Sequence, residues 1–218
     1  MQAMNEMQIR ITEDELIEVS NTENGVTSFK HMRPETFLQC VQSSVKLGNF
    51  NSGLLPQGCI SFSTDDKERC YICIDFGCDR CDITYEKTDY PYFPLPRLIF
   101  GFYMREKRII SVKLGVTEQG RLTPRSKMYV YPFSNVNGFG LCLGANSLPG
   151  VKSLHQLEGI MHYIMSMPNN NDRYSADNTC LELEYRELLE TLKDKTPEFY
   201  YSDVLRENGK TLTDFING

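Results

Sequence analysis

The sequence predicts an α+β domain in which an antiparallel β-meander comes first and helices follow. Apolar residues recur with a period of two from Cys59 to Val130 and with a helical period after Cys142. Short strands joined by tight turns favour antiparallel pairing, and helices later in the chain are expected to cover one face of the sheet. The 218 residues are enough for one such domain with an appendage.

Residues 1–30 are predicted to form an N-terminal β-hairpin extension. Two short apolar runs flank an acidic stretch, and Asn21–Gly25 (NTENG) has the composition of a turn. The apolar positions of these runs are Ile9, Ile11, Leu16 and Val19.

The main domain is predicted to span residues 31–218 and to begin with a helix at Pro34, since proline is favoured in a first helical turn. The apolar positions of this predicted helix have helical spacing: Phe37, Leu38, Val41 and Val45.

Alternation in the following strands places one set of side chains on a buried face. In CYICIDF that face carries Cys70, Ile72, Ile74 and Phe76. After a turn at Gly77–Arg80, Asp82–Tyr85 is expected to pair back. Two later strands align Leu98, Phe100, Phe102 and Met104, then Ile110, Val112, Leu114 and Val116. Lys127–Tyr131 is predicted to be the last strand.

The segment Tyr90–Pro96 is rich in proline and aromatic residues and has two interpretations. It is either a partner-binding surface or a conformationally fixed crossover whose rings cap the core.

Helices are predicted after Cys142. Ser153 with Gln156 resembles a capping box, and Pro168 ends the helix that follows. The apolar stripe of that helix comprises Leu154, Leu157, Ile160, Met161, Ile164 and Met165. A second helix carries Leu181, Tyr185, Leu188, Leu189 and Leu192. Glu198–Leu205 is predicted to form a third, and the tail after Gly209 to be ordered by docking.

Composition excludes several function classes. The net charge is −6 and no basic cluster occurs, which disfavours nucleic-acid binding. There is no apolar run of about 18 residues, so no transmembrane helix is expected. The start of the chain lacks the features of a secretory signal, and the eight cysteines are therefore expected to be reduced thiols of a cytoplasmic protein.

Cys142 is the candidate nucleophile because it lies in a glycine-rich loop within Lys127–Pro149. The alternative is a small buried apolar residue, a common role of free cysteine. The loop contains no histidine to act as a base, although His155 or His162 could approach Cys142 in space. Thioester exchange demands less, since the acyl group is already activated, and the side-chain amide of Asn135 is a suitable oxyanion donor.

The stretch PFSNVNGFGLCLG at Pro132–Gly144 resembles the active-site segment of ubiquitin-conjugating (UBC) enzymes, in which a His-Pro-Asn motif precedes the catalytic cysteine. It is most similar to the prokaryotic ubiquitin-conjugating-enzyme family D, which includes PRTRC system protein B. Three further segments resemble that family: Ser52–Pro56 (SGLLP), Phe93–Phe102 (FPLPRLIFGF) and Ser166–Asp172 (SMPNNND). The resemblance implies a UBC-like fold.

The resemblance also assigns roles to three residues. Cys142 would carry the modifier as a thioester, Asn135 would stabilise the oxyanion or hold the loop, and Asp172 would orient or deprotonate the incoming lysine. Two departures are present: Phe133 and Ser134 replace the histidine and proline, and Asn135 precedes Cys142 by seven residues where the family has eight.

The partners that the resemblance implies are a ubiquitin-like modifier, a ThiF-type activating enzyme and an unidentified acceptor protein; no cofactor is implied. A second hypothesis is a UBC-like binding module that holds a modifier or activating enzyme without efficient transfer. A third is a zinc-stabilised scaffold, because Cys70, Cys73, Cys78 and Cys81 spell C-x2-C-x4-C-x2-C. Against zinc, positions 70 and 73 of a strand point to opposite faces, which predicts packed cysteines instead.

Overall fold

The computed structural model describes residues 6–11, 16–23, 25–44, 52–64 and 69–218. The chain consists of two compact units, Met1–Asn51 and Ser52–Gly218. The helix that begins at Pro34 belongs to the first of these units.

The first unit contains a three-stranded antiparallel sheet of β1 (Glu6–Ile11), β2 (Ile17–Glu23) and β3 (Val26–Met32), followed by helix α1 (Pro34–Ser44). The predicted hairpin is thus extended by a third strand. Most of the NTENG segment belongs to β2, and the chain reverses between Glu23 and Val26. Val45, predicted on the helix, lies outside the described residues.

The second unit has a curled, mainly antiparallel sheet and three α-helices among its described residues. Its strands are β4 (Cys59–Thr64), β5 (Arg69–Asp75), β6 (Arg80–Tyr85), β7 (Thr88–Pro94), β8 (Leu98–Arg105), β9 (Arg108–Thr117), β10 (Lys127–Tyr129), β11 (Val136–Asn137), β12 (Gly140–Leu141) and β13 (Glu207–Thr211). Its helices are α2 (Leu157–Met165), α3 (Tyr185–Leu192) and α4 (Leu212–Asn217). The predicted α+β class with antiparallel strands is confirmed.

Strand order in the large sheet is β11-β12-β9-β8-β5-β4, and β10 pairs with β9 and β13. Strands β6 and β7 form a separate two-stranded sheet. The expectation that Asp82–Tyr85 pairs back on the preceding strand was therefore wrong, because β6 pairs forward with β7. Strand β7 contains residues 90–94, the first part of the segment rich in proline and aromatic residues. Within it, Phe93 is buried and Tyr92 is exposed.

Alternation in β5, β8 and β9 separates two hydrophobic clusters. Ile72, Phe100 and Leu114 belong to the larger cluster, together with the apolar stripes of α2 and α3. Cys73, Ile99 and Met128 face the other way and pack with Leu212 and Phe215 of α4. The prediction that helices cover one face holds for α2 and α3 but was wrong for α4, which covers the opposite face.

One predicted core residue of β9 lies outside the core. The register shifts opposite Tyr103 and Met104, which pair with Ser111 and Ile109 respectively. Ile110 is the extra residue of this bulge and is 57% exposed. A bulge reverses the side-chain alternation, and Ile109 packs against the larger cluster instead.

Helix ends also differ from their prediction. Ser153 makes no side-chain capping bond, and the Gln156 Oε1 atom accepts from the Lys152 backbone N–H. A 3₁₀ turn at Leu154–Gln156 precedes α2. Leu181 precedes α3, which begins at Tyr185. The predicted third helix is a π-helical turn at Tyr200–Val204. None of the described helices is long and apolar enough to cross a membrane.

Candidate functional site

Cys142 directly follows a very short β-hairpin made of β11 and β12. Val136 pairs with Leu141 and Asn137 with Gly140, which leaves a two-residue turn at positions 138 and 139. Gly138 has a φ of 58° at the first position of this turn, where hairpins of the II′ type take glycine. The hairpin sets the position of the residues on either side of it.

Asn135 and Cys142 form the next pair of this ladder. The Cys142 backbone N–H donates to the Asn135 carbonyl oxygen at 2.7 Å. Asn135 has a φ of 65°, a left-handed conformation that asparagine tolerates better than most residues. The seven-residue interval noted in the sequence therefore places the two residues opposite each other.

The hairpin is fixed to the edge of the large sheet. Gly140 pairs with Lys113 of β9, and the Leu114 backbone N–H donates to the Phe139 carbonyl oxygen at 2.8 Å. Cys142 is thus presented at the end of a sheet-anchored turn, with its side chain partly buried.

Asp172 contacts Asn135 through its main chain. The Asn135 backbone N–H donates to the Asp172 carbonyl oxygen at 2.7 Å. The carboxylate of Asp172 accepts from Asn170 Nδ2 at 2.9 Å, and its backbone N–H donates to Asn170 Oδ1 at 2.8 Å. These bonds hold the exposed Asp172 side chain in a tight turn beside Asn135.

The loop that carries Asp172 is attached to β6. The Asn169 backbone N–H donates to the Thr84 carbonyl oxygen at 2.7 Å, and the Glu86 N–H donates to the Asn169 carbonyl oxygen at 2.9 Å. The Tyr85 hydroxyl donates to Asn171 Oδ1 at 2.8 Å. Successive asparagines of the SMPNNND segment therefore have different positioning tasks.

The three predicted site residues line one cavity of about 110 Å³. Its lining combines buried apolar side chains with polar ones, and the polar ones are mainly asparagines. The lining comprises Ile83, Leu95, Leu114, Tyr131, Phe133, Ser134, Asn135, Leu141, Cys142, Leu143, Gly144, Asn146, Ile164, Met165, Met167, Pro168, Asn169, Asn170, Asp172 and Tyr185. The structure thus brings Cys142, Asn135 and Asp172 together.

Among the described lining residues, Asp172 is the only charged one, and histidine is absent. His155 instead lies 3.6 Å from the Glu158 carboxylate, and the ring of His162 packs on Phe76 with centroids 4.9 Å apart. The helix histidines that sequence reasoning kept as possible bases do not line this cavity.

The two residues before Asn135, Phe133 and Ser134, are both buried. Phe133 packs edge-on against Phe93, Tyr131 and Tyr200. The Ser134 hydroxyl lies 3.3 Å from Asn169 Oδ1 and 3.4 Å from the Tyr185 hydroxyl. This segment is therefore held by the core and by the Asp172 loop.

Tyr185 is a positioning residue that sequence reasoning identified only as part of a helix stripe. Its ring stacks on Tyr174 with centroids 4.6 Å apart and meets Tyr85 edge-on. Burial raises the pKa of its hydroxyl to about 12, so it stays neutral at physiological pH. No sequence motif marks it, because its contact with Ser134 depends on the tertiary packing of α3.

Two of the polar groups that line the cavity, a thiol and a side-chain amide, have no hydrogen-bond partner among the described residues. In the part of the chain that the structure describes, neither Cys142 Sγ nor the Asn135 side-chain amide makes a hydrogen bond to protein. Both groups are available to a ligand. An amide N–H beside a partly exposed thiol can donate to the oxyanion that forms when the thiolate attacks a carbonyl carbon.

The four clustered cysteines have a different environment. Cys73 is fully buried in the α4-side cluster, while Cys70 packs against the larger cluster. Burial raises the pKa of the Cys73 thiol to about 11 and that of Cys81 to about 12. Within the described residues, no three or more His, Cys, Asp and Glu side chains are grouped as a metal site.

Comparison with known proteins gives no match: no family model, no curated protein and no solved structure is significantly similar to the chain.

Proposed function

We propose that the Ser52–Gly218 unit is a UBC-like acyl transferase. It accepts a ubiquitin-like modifier as a thioester on Cys142 and passes it to an amine of an acceptor protein. The resemblance of Pro132–Gly144 to the active-site segment of conjugating enzymes suggests the class, and it also suggests a ThiF-type activating enzyme as donor.

One observation carries the proposal. Asp172, Asn135 and Cys142 are linked by two consecutive backbone hydrogen bonds of 2.7 Å and line one cavity. Asp172 comes 30 residues after Cys142 in the sequence, so the fold is what brings it to the other two. A nucleophile, an oxyanion donor and a carboxylate are the groups that acyl transfer from a thioester to an amine requires.

In the loading step, the Cys142 thiolate attacks the carbonyl carbon of the modifier's thioester on the activating enzyme. A new C–S bond forms, the old C–S bond breaks, and the released thiolate takes up a proton equivalent to the one that Cys142 lost. The side-chain N–H of Asn135 donates to the tetrahedral oxyanion between these events.

In the transfer step, an acceptor amine attacks the same carbonyl carbon. The C–N bond forms, the C–S bond to Cys142 breaks, and the thiol is regenerated. The Asp172 carboxylate is exposed and accepts the proton that the amine loses or orients the ammonium before it.

The electrostatics of the cavity fit thioester exchange better than hydrolysis of an amide. Neither an imidazole nor a cation lines the described cavity wall to activate the thiol strongly. A thioester is already activated and has a thiolate leaving group, so this weak activation is sufficient.

The same observation favours a second candidate, a binding module that holds a modifier or activating enzyme without transfer. In that case Cys142 would be a wall residue of a protein-binding cavity, and its replacement by alanine would leave binding intact.

The deciding experiment incubates the protein with its cognate activating enzyme, ATP and modifier. We expect a thiol-sensitive adduct in the wild type, a thiol-resistant oxyester in Cys142→Ser and no adduct in Cys142→Ala. Cys180→Ser is the matched control, because Cys180 is exposed and does not line the cavity. A wild type that binds the modifier without forming an adduct would exclude transfer and support the binding module.

A further inference from the structure

The cavity beside Cys142 is lined in part by buried apolar side chains. Leu114 of β9 and Ile164 and Met165 of α2 form part of its wall, and all three are buried. An apolar cavity of about 150 Å³ holds a benzene ring in another protein. The volume of about 110 Å³ here accommodates a side chain of about valine size.

Two asparagines of the lining, Asn169 and Asn170, are engaged with protein partners. Asn169 Nδ2 donates to the Thr84 carbonyl oxygen at 3.4 Å, and the Asn169 Oδ1 atom lies 3.3 Å from the Ser134 hydroxyl. Asn170 bonds to Asp172 through both its amide atoms. A hydroxyl placed against these two asparagines would find their amide groups already bonded and would lose its bonds to water without equivalent replacement, which disfavours a polar occupant on that side of the cavity.

The charge of the lining residues further limits which chemical groups can occupy the cavity. Asp172 is the only charged group among the described lining residues, so an anionic group would meet repulsion and no compensating cation. Buried apolar side chains, two bonded asparagines and one carboxylate together favour an uncharged, apolar occupant on the side of the cavity that faces α2.

We infer that this cavity is a subsite for a small apolar side chain next to the carboxy-terminal residue of the acyl donor. The inference rests on the proposed function, because it places the donor's carbonyl carbon at Cys142 Sγ. One residue of extended chain spans about 3.5 Å, so the penultimate side chain reaches a cavity that borders the thiol. The subsite would make the enzyme selective for the end of its modifier.

Synthetic donors test the subsite without the modifier or the activating enzyme. Acetyl-Val-Gly and acetyl-Thr-Gly are offered as thioesters of 2-mercaptoethanesulfonate, and acylation of each cysteine is followed by peptide mass spectrometry. The cysteine thiolate attacks the thioester carbonyl, the acyl–S-cysteine bond forms and mercaptoethanesulfonate leaves. Valine and threonine have nearly the same shape, so the pair isolates the effect of the hydroxyl.

We expect the Val/Thr rate ratio at Cys142 to exceed that at Cys180 by about tenfold, because Cys142 lines this cavity and Cys180 does not. Cys180 is exposed and reports the intrinsic reactivity of the two donors in the same sample. Equal ratios at the two cysteines would overturn the subsite.

A pair of variants adds a structural control. Leu143→Phe enlarges a half-buried lining residue, and we expect it to lower the ratio at Cys142 to that at Cys180. Leu148→Phe makes the same change at a half-buried leucine outside the lining and should preserve the ratio. A folded Leu143→Phe with an unchanged ratio would contradict the inference, and the wild-type comparison decides it even if that variant does not fold.

The two hypotheses fail in different ways. If Cys142 shows the valine preference but forms no adduct with an activating enzyme and modifier, transfer is excluded while the apolar subsite stands. If the adduct forms and the preference is absent, the enzyme stands and the subsite is excluded.

Discussion

The backbone N–H of Cys142 donates to the carbonyl oxygen of Asn135 at 2.7 Å, across a hairpin with a two-residue turn. Asn135 therefore has two separate tasks. Its main chain, with a φ of 65°, fixes the position of Cys142, while its side-chain amide remains free for a ligand. Substitutions that separate backbone from side chain distinguish the two tasks.

Asn135→Gly keeps the left-handed conformation and removes only the amide. We expect its free energy of unfolding to stay within about 1 kcal/mol of the wild type, and its rate of thioester formation to fall by about 10²–10³-fold, as expected for loss of an oxyanion donor. Urea unfolding and single-turnover loading measure the two effects. A loading rate equal to that of the wild type would show that the Asn135 side chain takes no part in thioester formation.

Asn135→Ala is the matched comparison. It removes the same amide but places a Cβ in the left-handed region, which costs about 1–2 kcal/mol for residues that do not tolerate it. We expect it to be less stable than Asn135→Gly and equally slow in loading. Equal stability of the two variants would show that the hairpin relaxes around position 135.

Asp172→Asn tests the carboxylate without disturbing the main chain, because the bond to the Asn135 N–H comes from the Asp172 carbonyl oxygen. We expect loading of Cys142 to be unchanged and discharge to free lysine to fall by about 10²-fold, the lower range for loss of a general base. Single-turnover discharge over a range of lysine concentrations measures it. If the rate of Cys142 loading also fell, the substitution would be disturbing the loop rather than acting on the incoming amine.

Much of the sheet was predictable because alternation is local. In CYICIDF, β8 and β9, most residues that the period assigns to one face are buried, and Cys70 is partly buried. The exception, Ile110, results from a bulge that depends on pairing with Tyr103 and Met104, and such register is invisible in a single strand. The grouping of Asn135 with Cys142 and Asp172 likewise depends on long-range bonds, and only the family resemblance pointed to it.

The helix caps show that capping-box spacing alone does not decide whether the box forms. Ser153 and Gln156 have capping-box spacing but make no such box. Thr211 and Asp214 have the same spacing and do form it, at the start of α4. The tail after Gly209 was expected to be ordered only by docking, and this motif was the available signal for its helix.

This contrast predicts different costs for two similar substitutions. Thr211→Ala removes a capping bond and should lower the free energy of unfolding by about 1 kcal/mol. Ser153→Ala removes no capping bond and should change it by less than about 0.5 kcal/mol, as for most surface changes. Thermal or urea unfolding compares them. Equal losses would mean that the cap of α4 contributes nothing beyond propensity.

Tyr185 gives stability a dependence on alkaline pH. Because burial raises its pKa to about 12 from an ordinary value of 10, the folded state favours the neutral hydroxyl. Its contribution is fully present below pH 10, declines as the pH rises towards 12 and is lost above that. Between these values the slope approaches about 1.4 kcal/mol per pH unit for a single group.

Tyr185→Phe removes this titration together with the contact to Ser134. At pH 7 we expect the variant to be about 1 kcal/mol less stable than the wild type, since one partner of a buried hydrogen bond is lost. At pH 11 the deficit should shrink or reverse, because the phenyl ring has no proton to lose. Urea unfolding at both pH values measures the difference, with Tyr163→Phe as the control at an exposed tyrosine. A deficit that is equal at pH 7 and pH 11 would show that the Tyr185 hydroxyl does not titrate differently in the folded and unfolded chain.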